Sequence, residues 1–365
     1  MFADMSAFSS LTGPTMADSW PVARVMAGMS AVPVGHAIDL AFFFPNEGRE
    51  RHDALTAETR RHLGGCVSGI ELALRVAMER HGEIAALLAQ RPEPICWPTL
   101  CAQPTLLGPA LLAHMQMRAG VTLMLRQFGT PDDHIDDPEA DSVLADEDGA
   151  LGEAFAALAA AEGRWLAVGA EDDPMQADLP AEHFAELVWT AAACMTAMVQ
   201  REALAEADAI LPAFEEVGWA LLARHDEMAG PIAAAERLVR QLGQRADAPE
   251  LLGEALGQRR FLLFAALAAR RLRMDGAHVA DILVMGPIAD LAALCRSLGG
   301  SNADYRHLLL ALRPVRPSLT DAAIIEEADR YQALTEAQAD ATVNALRAPP
   351  ALMAKLDHLR RVIIR

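Results

Sequence analysis

The chain has 365 residues, of which 52% are hydrophobic, 5% aromatic and 22% charged, and its formal net charge is −19. This length exceeds what one hydrophobic core ordinarily serves, and the ordinary charge content excludes wholesale disorder. The acidic balance argues against a nucleic-acid partner, which needs clustered positive charge to neutralise phosphates.

In chain order, residues 1–18 read as a flexible lead-in and 19–130 as an N-terminal helical unit opened by Ser19, with Pro21 in the first turn. Thr56 is placed to cap a helix running toward Gly64-Gly65. A further helix is expected over Ile70–Gln90, with Leu72, Val76, Leu87 and Leu88 as its apolar positions and Arg75, Glu79 and Arg80 on its wet face. Five prolines between Arg91 and Pro109 limit that stretch to short helical pieces. Ala110–Phe128 reads as a full helix stopped by Gly129-Thr130-Pro131. Residues 131–150 read as an acidic loop or linker, since residues 131–186 hold 17 acidic side chains against the single Arg164.

Residues 151–347 read as a C-terminal helical-repeat unit. After a helix over Glu182–Met198, helix starts are expected at Asp247, Arg259, Asp275, Pro287 and Ser301. Asp247 and Asp275 are 28 residues apart, as are Arg259 and Pro287, so each period would hold two short helices. Gly299-Gly300-Ser301-Asn302 has the form of a C-cap followed by an N-cap, a helix begins near Asp321, and Thr335-Glu336-Ala337-Gln338 has the form of a capping box. Residues 348–365 read as a basic amphipathic helix with Leu352, Leu356, Leu359 and Ile363 in a stripe flanked by Lys355, Arg360, Arg361 and Arg365; the stripe is expected to pack on the rest of the chain, the alternative being a docking helix for another protein or a second copy. The fold expected is all-α, an irregular HEAT-like, solenoid-type stack of short antiparallel helix pairs.

Chemistry is sparse. The five cysteines are scattered, with no Cys-x-x-Cys pair, and read as free buried thiols of a reducing compartment; Cys96 and Cys101 are too unusually spaced for a redox pair. The longest apolar stretch, Val188–Val199, has 12 residues, too few to span a membrane, and no basic residue precedes Arg24, so neither a span nor a secretory leader is expected and the location expected is cytoplasmic. Asp132-Asp133-His134-Ile135-Asp136-Asp137 and Asp146-Glu147-Asp148-Gly149 lack the spacing of a calcium loop. His225-Asp226-Glu227 is read as a surface triplet on a helix, where successive side chains diverge by about 100°. No nucleophile elbow or phosphate-binding loop is present in the sequence, and no catalytic, cofactor or metal residue is assigned.

The candidate partner-binding residues are Arg259, Arg260, Arg270, Arg271 and Arg273, in a stretch free of acidic residues between Ala255 and Met274, together with Lys355, Arg360 and Arg361. Arginines at the end of a helix also complement its dipole. The function expected is a non-catalytic scaffold or regulator holding a protein partner, acidic or phosphorylated where it meets these cations. The alternative is a small-molecule-binding protein or an enzyme of unfamiliar type, with a pocket between helices that sixteen methionines could help line.

Several passages carry a family resemblance: Asp39–Pro45 with Ala54-Leu55-Thr56, Pro94–Leu100, Asp178-Leu179-Pro180 with Leu187-Val188-Trp189, Glu236–Val239, Phe264–Ala268 and Leu294–Gly299. In this order the chain resembles the bacterial domain of unknown function 2336 family over most of residues 20–360. The resemblance implies an all-helical, repeat-type fold and no particular activity.

Overall fold

The computed structural model describes residues 54–127, 149–167, 169–202 and 207–348, with 352, 355, 356 and 359 beyond them. The lead-in at 1–18, the start at Ser19, the Asp39–Pro45 passage and the acidic stretch through Asp148 lie outside the described residues. The described residues form fifteen α-helices and no strand, so the fold is all-α.

The helices are α1 Ala54–Met78, α2 Gly82–Ala89, α3 Cys96–Ala102, α4 Pro109–Gln127, α5 Gly149–Leu166, α6 Ala181–Glu202, α7 Ala207–Leu222 and α8 Pro231–Leu242. They continue as α9 Glu250–Gly257, α10 Phe261–Leu272, α11 Gly276–Val284, α12 Ile288–Ser297, α13 Asn302–Ala311, α14 Asp321–Ala333 and α15 Glu336–Leu346.

Helix α1 departs from expectation in three ways. Thr56 lies within it instead of capping it, and the helix passes straight through Gly64-Gly65. It ends at Met78, so Ile70–Gln90 is two helices broken at residues 79–81. Its buried face is Val67, Ile70, Leu74 and Met78, whereas Leu72 and Val76 stand exposed. Contacts of the glycines explain why the helix does not stop at them. An added Cβ at Gly64 would strike the Glu171 carbonyl, and one at Gly69 would strike the Met175 carbonyl. The Met175 N–H donates to the Gly65 carbonyl at 2.8 Å. Gly64, Gly65 and Gly69 thus form a smooth track on which the irregular segment 171–175 lies, a close approach that any side chain would prevent.

Cap chemistry fixes the later helices. Asp275 accepts from the Ala277 and His278 N–H groups, and Ser301–Asp304 and Thr335–Gln338 are reciprocal capping boxes. Gly299, at φ 82, turns the chain out of α12. The helices expected at Asp247 and Arg259 begin instead at Glu250 and Phe261. Arg259 and Arg273 occupy left-handed positions, φ 61 and 52, at the ends of α9 and α10 where glycine is usual.

The apolar side chains gather in two cores. One holds α1, α2, α3, α6, α7 and the first half of α4. The other holds the second half of α4, α5 and α8 to α15. The chain order is interleaved: α5 packs on α8, while α6 and α7, which follow it, return to α1. Helix α10 is buried around almost its whole circumference, between α8, α9, α11 and α4.

Candidate functional site

The C-terminal core has a recess, a cavity of about 320 Å³ bounded by α9 to α13. Its walls are apolar, among them Leu252 and Leu256 from α9, Phe264 from α10, Leu283 from α11 and Leu308 from α13. Glu250, Asp304 and His307 line it too; all three are exposed, which places them at the mouth. Helix α12 contributes Cys295, whose thiol burial pushes up to about 11, so it remains protonated at neutral pH. Tyr331 holds this wall in place, its hydroxyl donating to the Gly300 carbonyl at 2.6 Å and lying 3.5 Å from the Cys295 sulfur. The Tyr331 ring stacks on Tyr305 at 4.4 Å.

A second constellation is polar and largely buried. His62 on α1 receives a hydrogen bond at Nδ1 from Arg118 Nε on α4, at 2.9 Å, and its Nε2 lies 2.9 Å from the Thr122 hydroxyl. Arg118 is fully buried, lies 2.6 Å from Asp178 and stacks over Trp165 at 4.4 Å. The Trp165 indole N–H donates to the same Asp178 carboxylate at 3.0 Å. Glu58 accepts from Arg61 and, at 2.7 Å, from Arg126. Burial would raise the Glu58 carboxyl, but the hydrogen bonds from His62 and Arg61 prevail and hold it at about 2. Burial lowers His62 to about 3, so this imidazole is neutral. The cluster joins α1, α4, α5 and the segment before α6, where the two cores meet. Closed to solvent except at Arg126, it suits orientation of helices, since a buried charge network holds its partners in one geometry.

The sequence-derived candidates do not converge. Arg270 makes a two-pronged ion pair with Asp247, both contacts at 3.0 Å. Arg271 bonds the Ala248 carbonyl, and Arg260 lies over the Phe155 ring at 4.9 Å. Arg273 is exposed at its left-handed position, and Arg259 terminates the preceding helix. Lys355 is exposed and helical, while Arg360 and Arg361 lie outside the described residues. Leu352, Leu356 and Leu359 are 48%, 36% and 52% exposed, so these three residues of the stripe expected to pack on the rest of the chain face solvent, while Ile363 lies outside the described residues. His225 lies beyond the end of α7 and not on a helix; its ring stacks on Phe184 at 3.8 Å and its Nε2 lies 2.7 Å from the Leu179 carbonyl. Cys96 meets Cys194 across the N-terminal core, thiol to thiol, while Cys101 lies 3.8 Å from Arg60. Among the described residues no group of three or more His, Cys, Asp or Glu side chains is placed to hold a metal ion, and no helix is long and apolar enough to cross a membrane.

Sequence reasoning missed the His62–Arg118–Asp178 cluster. Its one local signal is Arg118 itself, a cation on a helix whose neighbours Met115, Met117, Ala119 and Val121 are all core residues.

No curated protein and no solved structure matches the chain. Residues 171–344 match the model of a family described as an uncharacterised protein conserved in bacteria. The match starts at the segment lying on the α1 glycine track and ends within α15, taking in the α9–α13 cavity. The family is the domain of unknown function 2336, and the match covers a little under half of the chain.

Proposed function

We propose that the protein is a non-catalytic, irregular HEAT-like helical-repeat adaptor that docks a protein partner through its C-terminal helix. The observation that carries this reading is the exposure of Leu352, Leu356 and Leu359, one turn apart on one helical face. A stripe at this spacing is the form in which a helix enters an apolar groove on another protein. Lys355, Arg360 and Arg361 flank it, so the groove that suits it has an acidic rim. Repeat character is supported by the starts of α9, α11 and α13 at Glu250, Gly276 and Asn302, which follow one another at intervals of 26 residues.

Lys355 is the chain's only lysine, which makes the test selective. A carbodiimide joins an amine to a carboxylate in ion-pair contact, and apart from the amino terminus only Lys355 offers the amine. Treatment of native cells is expected to give a protein adduct at Lys355, absent from the Leu352→Ser/Leu356→Ser/Leu359→Ser variant. Because all three leucines are exposed, that variant keeps its fold. Adducts only between copies of this chain, no adduct at Lys355, or binding of the helix to anionic vesicles alone would each overturn the reading.

A second reading, a small-molecule-binding protein, is favoured by the α9–α13 cavity. Its volume of about 320 Å³ lies at the lower end of the range of roughly 300–1,000 Å³ typical of ligand pockets.

A further inference from the structure

The cavity has a definite polarity, and this inference rests on the second reading above. Its interior is aliphatic and aromatic, and the ionisable side chains lining it are Glu250, Asp304, His307 and the protonated thiol of Cys295. No arginine or lysine is among the lining residues.

Each mouth carboxylate sits in the first turn of a helix, Glu250 on α9 and Asp304 on α13. A helix N-terminus carries about +0.5 charge, so two such termini offset only about half of the two negative charges. Asp304 stays ionised: hydrogen bonds from the Ser301 hydroxyl and N–H hold its carboxyl below the usual range. The mouth is therefore net negative, a local field that draws cations and repels anions.

The geometry points to a small ligand with an apolar body and a cationic head, an alkyl or arylalkyl amine. The body replaces solvent against Leu256, Phe264 and Leu308, and the ammonium remains at the mouth between Glu250 and Asp304. A fatty acid of the same length fits the volume but brings its carboxylate against two others.

Gly253 supplies the means to test this. It lines the mouth on the outer face of α9, and an added Cβ there meets nothing within 4 Å. Gly253→Trp thus covers the opening without disturbing the core, and any residue other than proline favours the helix over glycine.

The experiment is calorimetric titration of the full chain with n-heptylamine, n-heptanol and n-heptanoate, which share one body and differ in head. The wild type is expected to bind the amine about tenfold more tightly than the carboxylate, with the alcohol between them. Gly253→Trp is expected to abolish binding of all three, with its circular dichroism unchanged. Glu250→Gln is expected to narrow the amine–carboxylate ratio to about threefold. Equal binding of the three heads, or an unchanged ratio in Glu250→Gln, would overturn the assignment of the head while leaving the cavity a ligand site. No binding at millimolar concentration, or binding that survives Gly253→Trp, would overturn the ligand site as well.

Discussion

At the scale of single residues, buried ionisable groups pull stability in opposite directions with pH. Burial pushes the Glu162 carboxyl on α5 from 4.5 to about 7, with Arg260 opposing. A folded-state value above the unfolded one means that the protonated acid suits the folded chain. The contribution of Glu162 is complete below pH 4.5 and is lost as pH rises through 7. Glu162→Gln is therefore expected to raise Tm at pH 8 and leave it nearly unchanged at pH 4.5, as followed by circular dichroism. An equal gain at both would show that Glu162 does not take up a proton on folding. His62 and His114 act the other way: burial lowers both to about 3, so their contribution is present above pH 6.5 and falls away as pH drops toward 3. These residues carried little local signal. A histidine next to an arginine, as His62 is to Arg61, reads as surface; only the arrival of Arg118, Trp165 and Asp178 from other parts of the chain removes both from water.

At the scale of the helix, ends were legible and passages through the middle were not. Asp275, Ser301 and Thr335 cap where expected because capping is settled within four residues of sequence. The expected stop at Gly64-Gly65 was wrong for a long-range reason: the glycines serve a contact with residues 171–175, about a hundred residues away. Leu72 and Val76 were expected among the buried positions, but the glycine track and the packing of α4, α6 and α7 select a different face of α1. A matched pair of substitutions separates propensity from contact. Gly152 on α5 has nothing within 4 Å of an added Cβ, so Gly152→Ala is expected to stabilise by up to about 1 kcal/mol. Gly69→Ala improves propensity equally but drives a methyl into the Met175 carbonyl, and is expected to destabilise by about 1–3 kcal/mol. Urea denaturation of the two variants checks the opposite signs; stabilisation by Gly69→Ala would mean that the 171–175 segment does not lie on α1 in solution.

At the scale of the whole molecule, the family-matched segment and the cores do not coincide. Residues 171–344 include α6 and α7 but not α1, their partner, and include α8 and α10 but neither α5 nor the second half of α4. A fragment of residues 171–344 would expose apolar surface from both cores and is expected to lose most of its far-ultraviolet helical signal or to aggregate. A cooperative thermal transition in that fragment, close to that of the full chain, would contradict the packing described. The all-α class was legible because helical periodicity survives in any arrangement, and the tertiary return of α6 to α1 was not, because it leaves no mark on local pattern. The cavity belongs with the latter: its five helices were each recognisable, but the void appears only once they are assembled.

The return of α6 and α7 to α1 also has a consequence during synthesis. The ribosome delivers α1 and α4 long before α6 and α7, which complete their cover, and α5 before α8. For more than a hundred residues the nascent chain carries sticky, unmatched faces, and neither half can be sealed early and set aside. Slowing the ribosome ahead of α6 is therefore expected to lengthen the exposure of these faces and to lower the yield of correctly assembled chain.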